Sequence, residues 1–336
     1  MSRTSGQISA QFLAHRDVYE RFLNTLDRGQ LHHAWLLHGP AGIGKATLGL
    51  EMARAYLCEK NQGSARAHAA CGECHACHMM AAASHPDFMR VERQWDEKKK
   101  RFKRDVHVGQ TRDLLSFLSL SGAQSERRVV LVSEAGLMNA QAANALLKGL
   151  EEPASGSLLI LVCEDAMSLP VTVRSRCLLQ SLAPLGDAEC HGILSDMGLD
   201  GETLEFAVKL ADGQPGKANP LTDADVADAL LDWTRMTGDM AKADIGQLQE
   251  WISRHVRQIP HALLVDVVLN QLELVMQQHG DFNAFNALMD AARNLAAWPA
   301  ETARRTLNPA STLLAHMLSL RIALRAFESS LKTATV

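Results

Sequence analysis

The sequence predicts an α/β unit, a parallel sheet covered by helices, followed by an all-helical region. Three observations predict it. Short apolar runs stand at Ala34–His38, Val129–Val132 and Leu158–Val162, each with the length and continuity of a buried parallel strand. Helix-patterned segments alternate with them, the order expected of a parallel sheet with helical cover. From Val226 onward the pattern is helical throughout: Leu264, Val268, Leu272 and Val275 keep one face apolar, as do Leu313, Met317, Leu320 and Leu324.

The first run leads into GPAGIGKAT, Gly39 to Thr47. Gly39, Gly44 and Lys45 fit a phosphate-binding loop of the form Gly, four residues, Gly, Lys, then Ser or Thr. In such loops the glycines, here Gly39, Gly42 and Gly44, let backbone N–H groups curl around phosphate oxygens, and the lysine adds positive charge. Alone, this would read as a glycine-rich turn. The strand before it and a helix after it, Ala46–Cys58 with Leu48, Met52, Ala55 and Tyr56 at helical spacing, make it a P-loop. Ala46 stands where a hydroxyl would hold magnesium. Thr47 carries a hydroxyl, but one step along a helix turns the side chain by about 100°. Weak nucleotide binding at most and negligible turnover are expected.

The run Val129–Val132 is followed by Ser133 and Glu134. In P-loop ATPases such a strand ends in an acidic pair, one acid for magnesium and one to polarise water. Only Glu134 remains here, and it serves either that role or as a cap for the following turn. NALLKGLEEP, Asn144–Pro153, reads as a helix stopped by Pro153. LPVTVRSRC, Leu169–Cys177, then precedes the short apolar stretch Leu178–Leu179.

CGECHAC places Cys71, Cys74 and Cys77 at two-residue spacings, with Cys58 upstream at the end of the first helix. Four thiolates can close a tetrahedral zinc shell, and such spacings present sulfurs to one ion from a tight turn. His75 and His78 are neighbouring candidates, and an iron–sulfur site or redox pair are the alternatives. Four protein ligands leave no open position, so the expected role is structural. Cys163, Cys177 and Cys190 are isolated and read as buried small residues.

Composition narrows the class. The chain has 336 residues, 47% hydrophobic and 21% charged, with a net charge of −4. That supports ordinary folded cores in two or three domains and excludes a globally basic nucleic-acid binder. No apolar run approaches a bilayer span, and MSRTSGQISAQFLAHRD shows no apolar h-region. A cytoplasmic protein is expected, with its seven cysteines as thiols or metal ligands. One local basic run, Lys98, Lys99, Lys100, Arg101, Lys103 and Arg104, falls between expected strands at Phe88–Val91 and Val106–Val108. A solvated hairpin tip is the favoured reading, and sequence-independent phosphate contact with DNA the sharper one. Phe102 is the only aromatic inside the run, so no base-stacking platform is expected.

Several of these motifs together carry a resemblance. His32-His33-Ala34-Trp35 before the P-loop, the cysteine module, NALLKGLEEP and Ser175-Arg176-Cys177 resemble the bacterial DNA polymerase III clamp-loader AAA+ subunits, over roughly the first two thirds of the chain. Leu307-Asn308-Pro309 before an apolar helix also looks like that family. Within it, the delta-prime type fits better than the ATP-hydrolysing gamma/tau motor. HPDF, His85–Phe88, resembles the delta-prime version. The motor type carries a hydroxyl at Ala46, an acidic pair at Ser133-Glu134, and Thr or Asn at the sensor position, here Cys163-Glu164.

The resemblance implies an arrangement and a function. Residues 1–184 would form a P-loop AAA+ domain with an inserted zinc module at 58–77, residues 185–225 a small helical lid, and residues 226–336 an all-α collar that holds subunits in a ring. Arg176 would be an arginine finger offered to a neighbouring subunit's ATP, and Lys217 would occupy the second-sensor position, or be a solvated turn lysine. The implied partners are the gamma/tau motor subunits and a delta subunit, with the sliding clamp and primed DNA reached through the complex, and no membrane. The rival readings are an active motor subunit and a stand-alone zinc-module DNA-binding protein.

Overall fold

The computed structural model describes residues 14–62, 69–97, 101–119, 126–276, 282–305 and 307–334. Two compact units divide the chain, the first ending at Glu189 and the second beginning at Cys190.

In the first unit, α1 (Arg16–Asp27) leads to β1 (Ala34–His38), the P-loop and α2 (Lys45–Leu57). The cysteine module follows with α3 (His75–Ala81), then β2 (Phe88–Val91) and a small ladder of β3 (Trp95–Asp96) and β4 (Arg101–Phe102). Next come α4 (Val108–Ser119), β5 (Arg128–Val132), α5 (Ala140–Glu151), β6 (Ser157–Cys163), α6 (Val171–Arg174) and β7 (Leu178–Ser181). Five strands form one sheet in the order β2-β5-β6-β1-β7, and every pairing is parallel.

The continuous apolar runs become strands because both sheet faces are covered. Alternate residues point to opposite faces. Trp35, Leu37, Val129, Leu131, Leu158 and Ile160 pack against Phe22 of α1 and Leu48 and Met52 of α2. Leu36, Val130, Val132, Leu159 and Leu161 pack against Leu114 of α4 and Leu146 and Leu150 of α5. Gly49 lets α2 come close to the sheet: a Cβ there would meet Leu131 Cδ1 at 2.8 Å.

Local signals set the ends of the elements. α5 starts earlier than Asn144, because the Asn139 side chain accepts a hydrogen bond from the Ala142 N–H at 2.9 Å and caps the helix. The strand expected at Val106–Val108 is absent. Val106 makes a single parallel bridge with Met138, and α4 begins at Val108. The basic run therefore falls at the β3–β4 ladder. Lys98–Lys100 lie outside the described residues.

The second unit is helical: α7 (Asp187–Asp196), inside which the boundary falls, α8 (Gly201–Ala211), α9 (Ala224–Thr237), α10 (Ile245–His255), α11 (His261–Met276), α12 (Phe282–Arg305) and α13 (Pro309–Ala334), with a 3-10 turn at Pro215–Thr222. One core runs from Leu194 through Trp233, Leu264 and Leu295 to Phe327. The faces expected from helical spacing are the ones buried: Leu264, Val268 and Leu272, and Leu313, Met317, Leu320 and Leu324. Among the described residues, no helix is long and apolar enough to cross a membrane.

Candidate nucleotide and metal sites

The candidate residues gather at the carboxyl ends of the sheet strands, where open parallel sheets present their ligand crevice. The P-loop leaves β1, Glu134 leaves β5 and Cys163 ends β6. The loop backbone is held on both sides. The Gly39 N–H donates to the Glu164 carbonyl at 3.0 Å, and the Leu182 N–H donates to the His38 carbonyl at 2.8 Å. A Cβ at Gly39 would lie 2.2 Å from the Leu182 carbonyl oxygen, so the approach itself requires glycine. Gly42 and Gly44 have φ of 75° and 89°, the left-handed region that glycine adopts freely.

Lys45 opens α2 and turns back onto its own loop. Its ammonium donates to the Gly39 carbonyl at 2.7 Å and also to the Pro40 carbonyl. Burial lowers its pKa, against the opposing charges of Glu164 and Cys163. Ala46 and Thr47 follow in the first helical turn, both half-buried. His15, which sequence reasoning passed over, braces the loop from α1's side through a 2.9 Å contact between its Nε2 and the Ile43 carbonyl. Burial lowers the His15 pKa, only partly offset by that carbonyl. No local pattern marks it, because the contact spans distant positions.

Glu134 is occupied. Its carboxylate accepts from the Arg93 backbone N–H at 3.1 Å and from Arg93 Nε at 3.0 Å, and Arg93 Nη2 lies 2.7 Å from Oε1. Burial would raise the pKa of this carboxyl, but the Arg93 hydrogen bonds outweigh burial and hold it below the usual range. A carboxylate so engaged makes a poor general base. Its neighbour Ser133 accepts from Arg90 Nε at 3.1 Å through its hydroxyl. At the end of β6, Cys163 is buried, and burial pushes its thiol up to about 11, against the pull of Lys45. Cys177 and Cys190 are buried thiols as well.

The four module cysteines converge. Cys58 and Cys74 sulfurs are 4.0 Å apart, Cys71 and Cys77 sulfurs 3.9 Å, and all four lie within 4.8 Å of one another. A tetrahedron with zinc–sulfur bonds of about 2.3 Å has edges of about 3.8 Å. The donor set and spacing thus fit one tetrahedral, thiophilic ion, and the cluster could hold a metal. His75 and His78 are exposed and outside it. The surrounding turn is built to present these sulfurs. Cys71 Sγ accepts from the Cys74 N–H at 3.4 Å, and Glu59 accepts from the Ala76 N–H at 3.1 Å, satisfying a donor in the first turn of α3. The Glu73 N–H, ahead of smaller influences, draws Cys71 down to about 6, whereas burial raises Cys58 and Cys77.

Arg176 lies between α6 and β7. It donates to the Thr172 carbonyl at 3.0 Å and pairs with Glu151 of α5 at 2.7 Å, both side chains partly exposed. Lys217 lies in the 3-10 turn of the second unit, where its charge opposes the burial that raises Asp266. The HPDF segment serves the fold. Asp87 is fully buried and its carboxylate lies 3.5 Å from Arg128 Nε, while its N–H donates to His85 Nδ1 at 3.1 Å. His33 similarly ties the start of β1 to α5, its Nε2 lying 3.1 Å from the Leu150 carbonyl.

The family model described as DNA polymerase III, delta subunit, matches residues 14–186. The chain belongs to that family. The matched span covers the sheet, P-loop, cysteine cluster and Arg176, and the fold of these family residues is a parallel α/β P-loop arrangement with an inserted four-cysteine module. The chain is similar to DNA polymerase III subunit delta' of Pseudomonas aeruginosa, with 39% identity over 196 residues, 58% of this chain and 57% of that protein. It is also similar to the Escherichia coli subunit delta', with 32% identity over 211 residues, 62% of this chain and 60% of that protein. The Escherichia coli subunit tau is similar at 29% identity, over 66% of this chain and 33% of that protein. The matches thus span less than two thirds of each relative's length.

Proposed function

We propose that the chain is a delta-prime-type subunit of a DNA polymerase III clamp loader, one that supports loading of the sliding clamp onto primed DNA without hydrolysing ATP itself. The observation that carries this reading is the ion pair between Glu134 and Arg93. The one remaining acid at the end of β5 is spent on an arginine of its own chain. Beside it stand Ala46, which offers no hydroxyl for magnesium, and Ser133 in place of the first acid. The P-loop cradle of Gly39, Gly42, Gly44, Lys45 and Thr47 would then bind nucleotide weakly or not at all.

Arg176 supplies what such a subunit can offer in trans. A guanidinium stabilises charge spreading over a transferring phosphoryl group and needs no catalytic site of its own. Its exposed pair with Glu151 is worth about 0–1 kcal/mol, so exchanging that carboxylate for a neighbour's phosphate costs little. The partners would be gamma/tau motor subunits and a delta subunit, in the cytoplasm. Residues 185–225 would act as the lid and 226–336 as the collar. Zinc is the metal that best suits Cys58, Cys71, Cys74 and Cys77, in a structural role.

The test is Arg176→Ala in a reconstituted complex. Assembly should be normal while ATPase and loading activity fall by a factor of about 10³ or more, the scale of an arginine finger. Unchanged activity would remove Arg176 from that role. The intact glycines and Lys45 favour one other reading, an active motor subunit. A robust, Lys45-dependent ATPase rate in the isolated chain would establish that instead.

A further inference from the structure

The β3–β4 ladder is not used by the nucleotide site, and its chemistry is unusual for a surface turn. Trp95 stands directly opposite Phe102, and the rings meet edge to face, centroids 5.1 Å apart at 80°. Cross-strand aromatic pairs of this kind stabilise short ladders. Stabilisation alone does not account for what the rings leave open: Trp95 is 45% exposed and Phe102 55%. The other tryptophans, Trp35, Trp233, Trp251 and Trp298, are all buried.

The pair is held in place and set among cations. The Arg93 guanidinium lies 5.8 Å from the Phe102 ring centroid while bound to Glu134, which fixes the foot of the ladder to the end of β5. The Lys103 N–H donates to the Gln94 carbonyl at 2.8 Å, and its ammonium donates to Gln94 Oε1 at 2.7 Å. Arg104 is exposed and makes no ion pair among the described residues. Of the nearby acids, Glu92 pairs with Arg90 at 3.2 Å and Asp105 accepts from the Asn139 amide at 3.0 Å, while Asp96 stands opposite Arg101 in the ladder and the exposed Glu97 follows it.

The geometry points to the β3–β4 ladder as a contact for single-stranded nucleic acid, with Trp95 and Phe102 stacking on unpaired bases and Lys103 and Arg104 meeting phosphates. Base stacking on aromatics tolerates any sequence, because every base has a π face. Phosphate contacts add affinity that falls with salt. A duplex suits the site less well, since its bases are already stacked on one another. The ladder lies within the first unit of this chain, so the inference stands or falls independently of any clamp-loader assembly.

The experiment uses the full chain and a fluorescein-labelled oligothymidylate at low salt. Anisotropy reads affinity, and intrinsic fluorescence reads Trp95, the exposed tryptophan. Binding should quench part of the tryptophan signal, and Trp95→Phe should abolish the quench while binding persists. Phe102→Ala should weaken binding about tenfold, equivalent to ~1.4 kcal/mol and within the range for loss of one stacked base. Arg104→Glu, which removes no ion pair among the described residues, should weaken binding and lower the salt slope by about 0.7. Three results would overturn the assignment: no binding at low salt, equal binding by wild type and by both Phe102→Ala and Arg104→Glu, or duplex bound as tightly as the single strand.

Discussion

Glu134, just past the end of β5, has its carboxylate claimed by three contacts from Arg93. Glu134→Gln should therefore act on stability, by about 1 kcal/mol for a partly exposed ion pair. The sign of its pH dependence follows from the direction of the shift. The folded-state pKa is held low by Arg93, so the stabilisation is fully present above the unfolded value of about 4.3 and is lost as pH falls through the lower folded value. Urea denaturation of wild type and Glu134→Gln should show the gap at pH 7 and its disappearance in strong acid. A gap of equal size at both pH values would mean that the carboxylate charge is not what stabilises. The buried pair should be costlier to break. Asp87 and Arg128 are both buried, and Arg128→Leu takes the guanidinium from a carboxylate that water cannot reach. A loss of about 3–5 kcal/mol is expected in the same measurement.

At the scale of elements, the cysteine module depends on its sulfurs more than on its backbone. α3 has seven residues, far below the length at which a helix is stable by itself. Metal removal, or Cys74→Ser, should free Glu59–Asn61 and α3 while leaving β5 and β6 unchanged. Hydrogen exchange with and without a strong chelator would read this as loss of protection confined to residues 58–62 and 69–81. Protection unchanged by chelation would show that the module folds without metal. This cluster was legible in the sequence because thiol spacing is a local signal, and so were β1, β5 and β6, whose apolar runs are continuous. The ladder was not. The expected strand at Val106–Val108 competes with the start of α4, and the helix forms there. Trp95 pairs with Phe102 only through the register of β3 with β4, and the basic run by itself contains one ring and not its partner. Arg93 and Glu134 lie 41 positions apart, and nothing in either neighbourhood announces the other.

For the whole molecule, the question is whether two compact units mean two independently folding ones. The first unit's cores sandwich the parallel sheet, while the second is built on one helical core from Leu194 to Phe327. Two of the second unit's three tryptophans also find hydrogen-bond partners inside it, whereas the buried Trp251 Nε1 has none among the described residues. Trp233 Nε1 donates to the Leu264 carbonyl at 3.0 Å, and Trp298 Nε1 donates to the Thr312 hydroxyl at 2.8 Å. Trp233 and Trp251 stack with centroids 4.7 Å apart. A unit with its own core and its own polar partners is expected to fold alone. A fragment of residues 186–336 keeps α7 whole, with the Gly186 N–H still donating to Glu189 at 3.0 Å. It should show a cooperative thermal transition in far-ultraviolet circular dichroism and retain the near-ultraviolet signal of the stacked Trp233–Trp251 pair. Loss of the near-ultraviolet signal with helix content intact would mean a loosely packed state, in which the core needs the first unit to become specific. A sharp transition with both signals would place the specificity of the helical unit in its own residues.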